Sequence, residues 1–347
     1  MTAYEAFAES GPRRKKTMVH VPALLGCVAV GPTTDDAIAA TPPAIRAYLA
    51  FPPRRAGATS RPTPRGPIWT RGAIMPRMTD DPAAWSRAAD PARRIGQAIE
   101  FHAAIGSTND RARAALHERG GEGLAVVADE QLAGRGRRGR AWISPPGVNL
   151  MVSVGLRPSL GPKLAGLLGA AAALAALRAC AGVAPAVELA IRWPNDVVDA
   201  AGRKLAGLLV ETALEDGRLA EAVIGVGINV NWRRADMPPQ FAEQATSLAE
   251  LTGAPVDRVV LLGRLLAALD DEVCRLEDST SPVSRLREHS WLDGRQVEVD
   301  LGDRLLAGRA VGLDDDGALL LEHDGQIESL TVGEVARVRD SIPTAVA

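Results

Sequence analysis

Four arginines, Arg135, Arg137, Arg138 and Arg140, stand within six residues. They are threaded between Gly134, Gly136 and Gly139 in QLAGRGRRGRAW (131–142). Glycine lets successive backbone N–H groups converge on one point and form an anion-binding nest. Guanidinium forks grip carboxylate or phosphate through paired hydrogen bonds. Together these residue types suit a loop that closes over a small, strongly anionic ligand. The spacing also fits G-x-G-x-x-G, the turn that holds a dinucleotide, but the context rejects that use. Such a turn must open a helix, whereas Pro145 and Pro146 follow here. Nor does an acidic residue stand about 20 positions on to hold a ribose. A solvated basic loop or a nucleic-acid contact is the alternative. The arginines have no interleaved aromatics, which weakens single-strand binding.

Three further segments carry polar residues at defined places. In IRWPNDVVDAAGRKLAGLLVET (191–212), a strand ends at Trp193-Pro194, and Asn195-Asp196 read as a polar turn. A hairpin through Gly202 then returns Lys204 toward that turn, ahead of Gly207. This is a point charge on a rigid element, or an ordinary hairpin with a surface lysine. In IGVGINVN (224–231), Gly225 and Gly227 inside a strand imply close approach of a backbone or ligand, or simply packing. Asn229 and Asn231 close that strand. GSTND (106–110) puts small hydrogen-bonding side chains at a helix N-terminus, where they can dock a ligand or merely cap.

Other chemistries lack their residues. The chain has no G-x-S-x-G elbow and no P-loop. Cys27, Cys180 and Cys274 lie far apart, the histidines are scattered, and no metal-ligand spacing appears, so no metal site is assigned. What is left is Arg, Lys, Asn, Asp and backbone N–H, a set suited to positioning and charge stabilisation.

The elements that must position these residues follow from periodicity and punctuation. Strands are read at 98–105, 123–129, 148–156, 186–193, 203–214 and 219–231, and helices from GSTND to Arg119, over 162–180 and over 256–278. From about 292 the pattern becomes short strands with tight turns such as DDDG and DG, a small β-barrel. The strands in a row favour a mixed sheet over strict βαβ alternation. Hence 95–285 reads as an α+β main domain and 290–340 as the barrel. Residues 1–77 differ: they hold 11 of the 24 prolines and 11 basic against 4 acidic residues. That is +7, leaving −9 on residues 78–347 out of a chain total of −2. We read 1–77 as mostly disordered. Arg13–Lys16 followed by an apolar stretch resembles an export signal, against which His20 and Pro22 interrupt the run. Met78 is an alternative start. No uninterrupted apolar run reaches the roughly 18 residues of a membrane span.

Taken together and in order, STN, GRGRRGRAW with SPPGVNL, WPND, RKLAGLLVE, GVGINVN and the terminal barrel resemble the biotin protein ligase family. The resemblance covers about 70% of the chain, roughly 100–340. It implies an α+β fold, a mixed β-sheet flanked by helices and related to class II aminoacyl-tRNA synthetases, with an SH3-like β-barrel behind it. It implies ATP and biotin as substrates, with Mg²⁺ on the ATP. Biotin becomes biotinyl-5′-AMP and passes to a lysine of a biotin carboxyl carrier protein.

By the same resemblance, the reaction rests on Lys204, Arg137 and Asp196. Ser107, Thr108, Asn109 and Gln131 bind biotin's ureido end and pocket wall, with Arg135, Gly136, Arg137, Lys204 and Gly207 around it. Arg138 and Arg140 hold phosphates, Trp142 stacks near the adenine, and Asn195 and Asn229 lie toward ATP. Asn195 and Asp196 orient the ribose, the Mg²⁺ or the incoming lysine. Arg337 or Arg339 of the barrel reaches the nucleotide. Against the family pattern, the hairpin before Lys204 looks about one residue longer. Residues 1–94 show no helix-turn-helix, so no DNA partner is expected. No membrane association is expected, the location is cytoplasmic, and exposed sheet edges could support a homodimer. A lipoate ligase and a non-catalytic biotin-sensing or nucleic-acid-binding module are the alternatives; the arginine loop with Lys204 argues against the latter.

Overall fold

A computed structural model describes residues 82–216 and 218–339 and three short strands before them, β1 (Phe7–Ser10), β2 (Thr17–His20) and β3 (Val28–Gly31). These three form an antiparallel sheet in sequence order. They account for 12 of the 77 residues read as mostly disordered. Thr17 and Val19, then Val28 and Val30, place β-branched residues at alternate positions, which favours strands. The rest of that expectation, and the Met78 start, fall outside the described residues.

The remaining elements belong to one compact unit. It begins with α1 (Pro82–Ser86), β4 (Ile99–His102), α2 (Thr108–Ala115), β5 (Ala125–Ala128) and β6 (Leu150–Leu156). Helices α3 (Pro162–Ala165) and α4 (Leu168–Val183) lead to β7 (Leu189–Arg192), β8 (Asp196–Asp199), β9 (Lys204–Glu215) and β10 (Arg218–Ile228). Then come α5 (Pro239–Ala242), α6 (Leu248–Thr252), α7 (Arg258–Glu277) and α8 (Val283–Glu288). Strands β11 (Gln296–Asp300), β12 (Leu305–Leu313), β13 (Leu319–His323), β14 (Gln326–Leu330) and β15 (Glu334–Arg339) end it.

The large sheet has seven strands in the order β4-β5-β6-β10-β9-β8-β7. Only β4 and β5 run parallel, so the sheet is mixed as expected. Its two faces separate by residue parity. Val127, Val152, Val154, Ile224 and Val226 join the main core with α4 and α7. Val126 and Val223 face the other way, onto Ala112 and Leu116 of α2 and the turn after it. Helix α4 is apolar almost all round, with Ala171–Leu177 buried. Length and composition alone would let the 163–183 segment cross a membrane, but here it is the core helix beneath the sheet.

One expected turn is a strand. Asp196 opens β8 and pairs with Gly207, because the chain reverses tightly over Trp193–Asn195, at a cis Trp193–Pro194 bond. The hairpin that leads to Lys204 is irregular. Leu205 forms a bulge on β9 between the Val197–Ala206 and Val198–Lys204 pairs.

The C-terminal strands form an SH3-like antiparallel sheet, ordered β14-β13-β12-β11-β15. The turn at Asp324–Gly325 has both φ angles positive, as expected for a tight DG hairpin. Val297, Val299, Leu313, Leu319 and Leu321 extend the core of the large sheet without a break. The SH3-like sheet is therefore fixed beside the mouth of the site.

Candidate active site

On the α2 side, the middle of the large sheet is nearly bare. Gly227 lies opposite Gly207, and Gly225 lies opposite Ser153 on one side and Leu209 on the other. The missing side chains leave a cavity of about 630 Å³ over strands β6, β10 and β9. Close approach, expected of these glycines, has specific partners. A Cβ on Gly225 would stand 2.2 Å from Asn109 Oδ1, and one on Gly227 would stand 2.5 Å from the Trp142 ring. Gly207 does the same for Lys204, whose Cε would lie 2.8 Å from an added Cβ.

One end of the cavity is polar and largely paired. Gln131 Oε1 accepts from the Thr108 backbone N–H at 2.8 Å and from Thr108 Oγ1 at 3.0 Å. Ser153 Oγ lies 2.7 Å from Thr108 Oγ1 and 2.6 Å from Asn109 Oδ1. Asn109 Nδ2 donates to Glu211 at 2.7 Å. Ser107 occupies the N-cap position of α2, but its side chain makes no capping hydrogen bond. Ser107, Thr108 and Asn109 are all buried at the cavity wall. A buried, uncharged set of donors and acceptors suits a neutral polar ring.

The other end is cationic. Lys204 Nζ lies 2.7 Å from Asp196 Oδ1, without the alignment of a hydrogen bond. Arg192 Nη2 meets the other carboxylate oxygen at 2.8 Å. Burial works against the charge on Asp196, yet Lys204 and Arg192 outweigh it and hold the carboxyl below its usual range. The Lys204 backbone is pinned as well, donating to Gln244 O and accepting from Thr246 N–H. Asn229 is buried beneath it, with Nδ2 3.4 Å from the Lys204 carbonyl. Asn195 donates through Nδ2 to the Leu208 carbonyl, which turns its Oδ1 toward Arg137 at 3.5 Å.

The arginine loop folds back on itself above this floor. Gly136 N–H donates to Arg140 O and Trp142 N–H to Gly134 O. The indole of Trp142 lies against Gly207 and Gly227, and Lys204 Nζ is 5.8 Å from its ring centroid. The four arginines part company. Arg135 forks Asp110 at 2.7 and 2.8 Å and reaches Glu211. Arg140 lines the cavity but is paired with Glu334 of β15. Arg137 is half-buried, and among the described residues no carboxylate lies within ion-pair distance. Burial pushes its guanidinium below the ordinary value; Arg138 and Arg140 add to this, while Glu334 and Asp196 oppose it. A half-buried cation without an ion-pair partner among the described residues is able to receive an anion.

Arg138, read as a phosphate ligand, is not among the residues that line the cavity. Its backbone is left-handed, φ 53°, at the tip of the loop, and that twist sends the side chain to Asp300 at 3.1 Å instead of into the cavity. The other residues expected at the site all line this one cavity, and Arg337 joins them from the SH3-like sheet. The Arg339 side chain lies outside the described residues. Sequence reasoning missed Ser153, Glu211 and Arg192. Ser153 carried a signal, being the one hydroxyl in an otherwise apolar buried strand.

Residues 103–229 match the biotin/lipoate A/B protein ligase family, and residues 294–338 the biotin protein ligase C-terminal domain. A biotin–[acetyl-CoA-carboxylase] ligase of Mycobacterium tuberculosis is 35% identical over 247 residues, 70% of this chain and 89% of that one. A bifunctional ligase/repressor BirA of Bacillus spizizenii is 32% identical over 247 residues, 70% of this chain and 74% of that one. The biotin protein ligase of Aquifex aeolicus in complex with biotin and ATP superposes with a TM-score of 0.58 at 28% identity, covering 70% of this chain and 99% of that one.

Proposed function

The chain belongs to the biotin protein ligase family, and from that premise we propose how its own residues perform the reaction. The protein is an ATP-dependent ligase. It activates biotin to biotinyl-5′-AMP and transfers biotin to a lysine of a biotin carboxyl carrier protein. The observation that carries the assignment of roles is the polarity of the cavity. It has a neutral hydrogen-bonding end at Thr108, Asn109, Gln131 and Ser153, and a cationic end at Arg137 and Lys204. Biotin has the matching polarity, a neutral ureido ring at one end and a carboxylate at the other.

In this reading biotin lies along the bare glycine floor with its carboxylate at Lys204. MgATP enters from the side of Asn195, Arg140 and Trp142, its base on the open face of the indole. The carboxylate and the α-phosphate repel each other, and Lys204 below and Arg137 above offset that repulsion. A carboxylate oxygen bonds to the α-phosphorus as pyrophosphate leaves. The acceptor lysine's ε-amine then attacks the acyl carbon, AMP departs, and the amide nitrogen loses a proton. Asp196, ionised and anchored by Arg192, faces the route of that amine. The loop covers the acyl-adenylate and keeps water from it. The reaction is assigned to the cytoplasm, where ATP and carboxylases meet.

The test is pyrophosphate release by the full chain with ATP and Mg²⁺, with biotin and lipoate compared in parallel. Turnover with biotin alone is expected; turnover with lipoate would move the protein to the sister activity, and silence with both would defeat the reading. A second expectation concerns Arg137→Ala. A hydrogen bond from a charged group is worth about 1.5–3 kcal/mol. The apparent biotin requirement should therefore rise roughly tenfold to a hundredfold. Bound adenylate should also escape faster, seen as free biotinyl-5′-AMP in the filtrate. A wild-type biotin requirement in that variant would remove Arg137 from the site.

A further inference from the structure

Asp300 and Glu334 stand directly opposite each other on β11 and β15. Like charges in that relation repel across a sheet, so such a pair needs an answering charge. The answer comes from the arginine loop. Arg138 pairs with Asp300 at 3.1 Å, Arg140 pairs with Glu334, and Arg137 Nη1 donates to Gly333 O at 3.4 Å. The acid pair is also held in place: Asp300 Oδ1 accepts from Gly302 N–H at 2.7 Å, which leaves Oδ2 for Arg138. Four consecutive residues, 137–140, thus touch the SH3-like sheet three times, and the two salt bridges fall on its two facing acids.

We propose that Asp300 and Glu334 are positioning residues. They form the seat on which the arginine loop closes, so that the C-terminal domain sets how long the acyl-adenylate stays in the cavity. Neither acid need touch substrate. With the loop down, two cations relieve the repulsion between the acids and Arg137 is held over the cavity. With the loop lifted, that repulsion returns, so closure is favoured from both sides. This inference rests on the ligase reading above.

The test is the full-length double variant Asp300→Asn/Glu334→Gln. Biotin and ATP are mixed for a single turnover, and the bound biotinyl-5′-AMP is then followed after dilution into biotin-free buffer. Formation should stay within about threefold of wild type, while escape should be about tenfold faster, the scale of two partly exposed ion pairs. Raising NaCl should speed escape from wild type and leave the variant unchanged. Thermal unfolding should stay close to wild type, because partly exposed ion pairs contribute little to global stability. Arg138→Asp alone should also release quickly, and Arg138→Asp with Asp300→Arg should recover retention. Asp suits this swap because it tolerates the left-handed backbone at position 138.

Retention equal to wild type in the double variant, or a swap that recovers nothing, would overturn the proposal. Loss of adenylate formation with retention intact would overturn it too, because the acids would then act on the chemistry. If the wild-type chain makes no biotinyl-5′-AMP, the ligase reading itself fails and the seat falls with it.

Discussion

Lys204→Ala should lower the rate of biotin-dependent pyrophosphate release by roughly 10²–10³-fold, the scale of removing one preorganised charge contact from a transition state, about 2.7–4 kcal/mol. The position is preorganised at three levels. The backbone of Lys204 is fixed between Gln244 and Thr246. Its side chain crosses Gly207, where any Cβ would collide with it. Its ammonium is held 2.7 Å from Asp196. Little stability is at stake, because the side chain is one-third exposed and Asp196 retains Arg192. Binding of biotin without ATP should weaken far less than the chemical step slows, since the charge matters most when carboxylate and phosphate meet. Lys204→Arg should not restore the rate: a planar fork replaces a point charge on a path shaped for an unbranched stem. A variant within threefold of wild type in single-turnover pyrophosphate release would remove Lys204 from the chemistry.

The legible part of the molecule is the part that local rules decide. β6 reads as a buried strand because it is apolar apart from Ser153, and the terminal hairpins read from their DG turns. The floor of the site was partly legible, since glycines inside an apolar strand have no local reason to be there. What they make room for was not legible. Asn109 and Trp142 are distant in sequence from Gly225 and Gly227, and only sheet register brings them together.

The same limit explains Asp196, which local rules place in a turn and strand pairing with Gly207 places at the start of β8. It also explains the arginines. Four equal charges in six residues look like one anion site, yet three of them answer carboxylates from three separate elements: Asp110 on α2, Asp300 on β11 and Glu334 on β15. Dividing them required the fold of the loop, above all the left-handed tip at Arg138.

Gly225→Ala and Gly227→Ala should separate the two halves of the cavity, each with an effect of about tenfold or more. Neither glycine has a positive φ, so alanine's backbone is tolerated and β10 should keep its pairing. The consequence lies in what the new methyl meets. At Gly227 it stands 2.5 Å from the indole of Trp142, a rigid ring that must lift from its seat. At Gly225 it stands 2.2 Å from Asn109 Oδ1, in an amide already held by Glu211 and close to Ser153. Forcing a methyl into such a space costs about 1–3 kcal/mol. That corresponds to roughly tenfold to a hundredfold in affinity. Gly227→Ala should therefore raise KM for ATP much more than Kd for biotin, because the base loses its stacking surface. Gly225→Ala should do the reverse, weakening biotin in titration without nucleotide while KM for ATP moves little. An unchanged circular dichroism spectrum, with a thermal midpoint lowered by no more than that strain, would assign both effects to the cavity. Equal losses toward both substrates in both variants would mean that one floor serves them jointly, and the division between a ureido end and a nucleotide end would have to be abandoned.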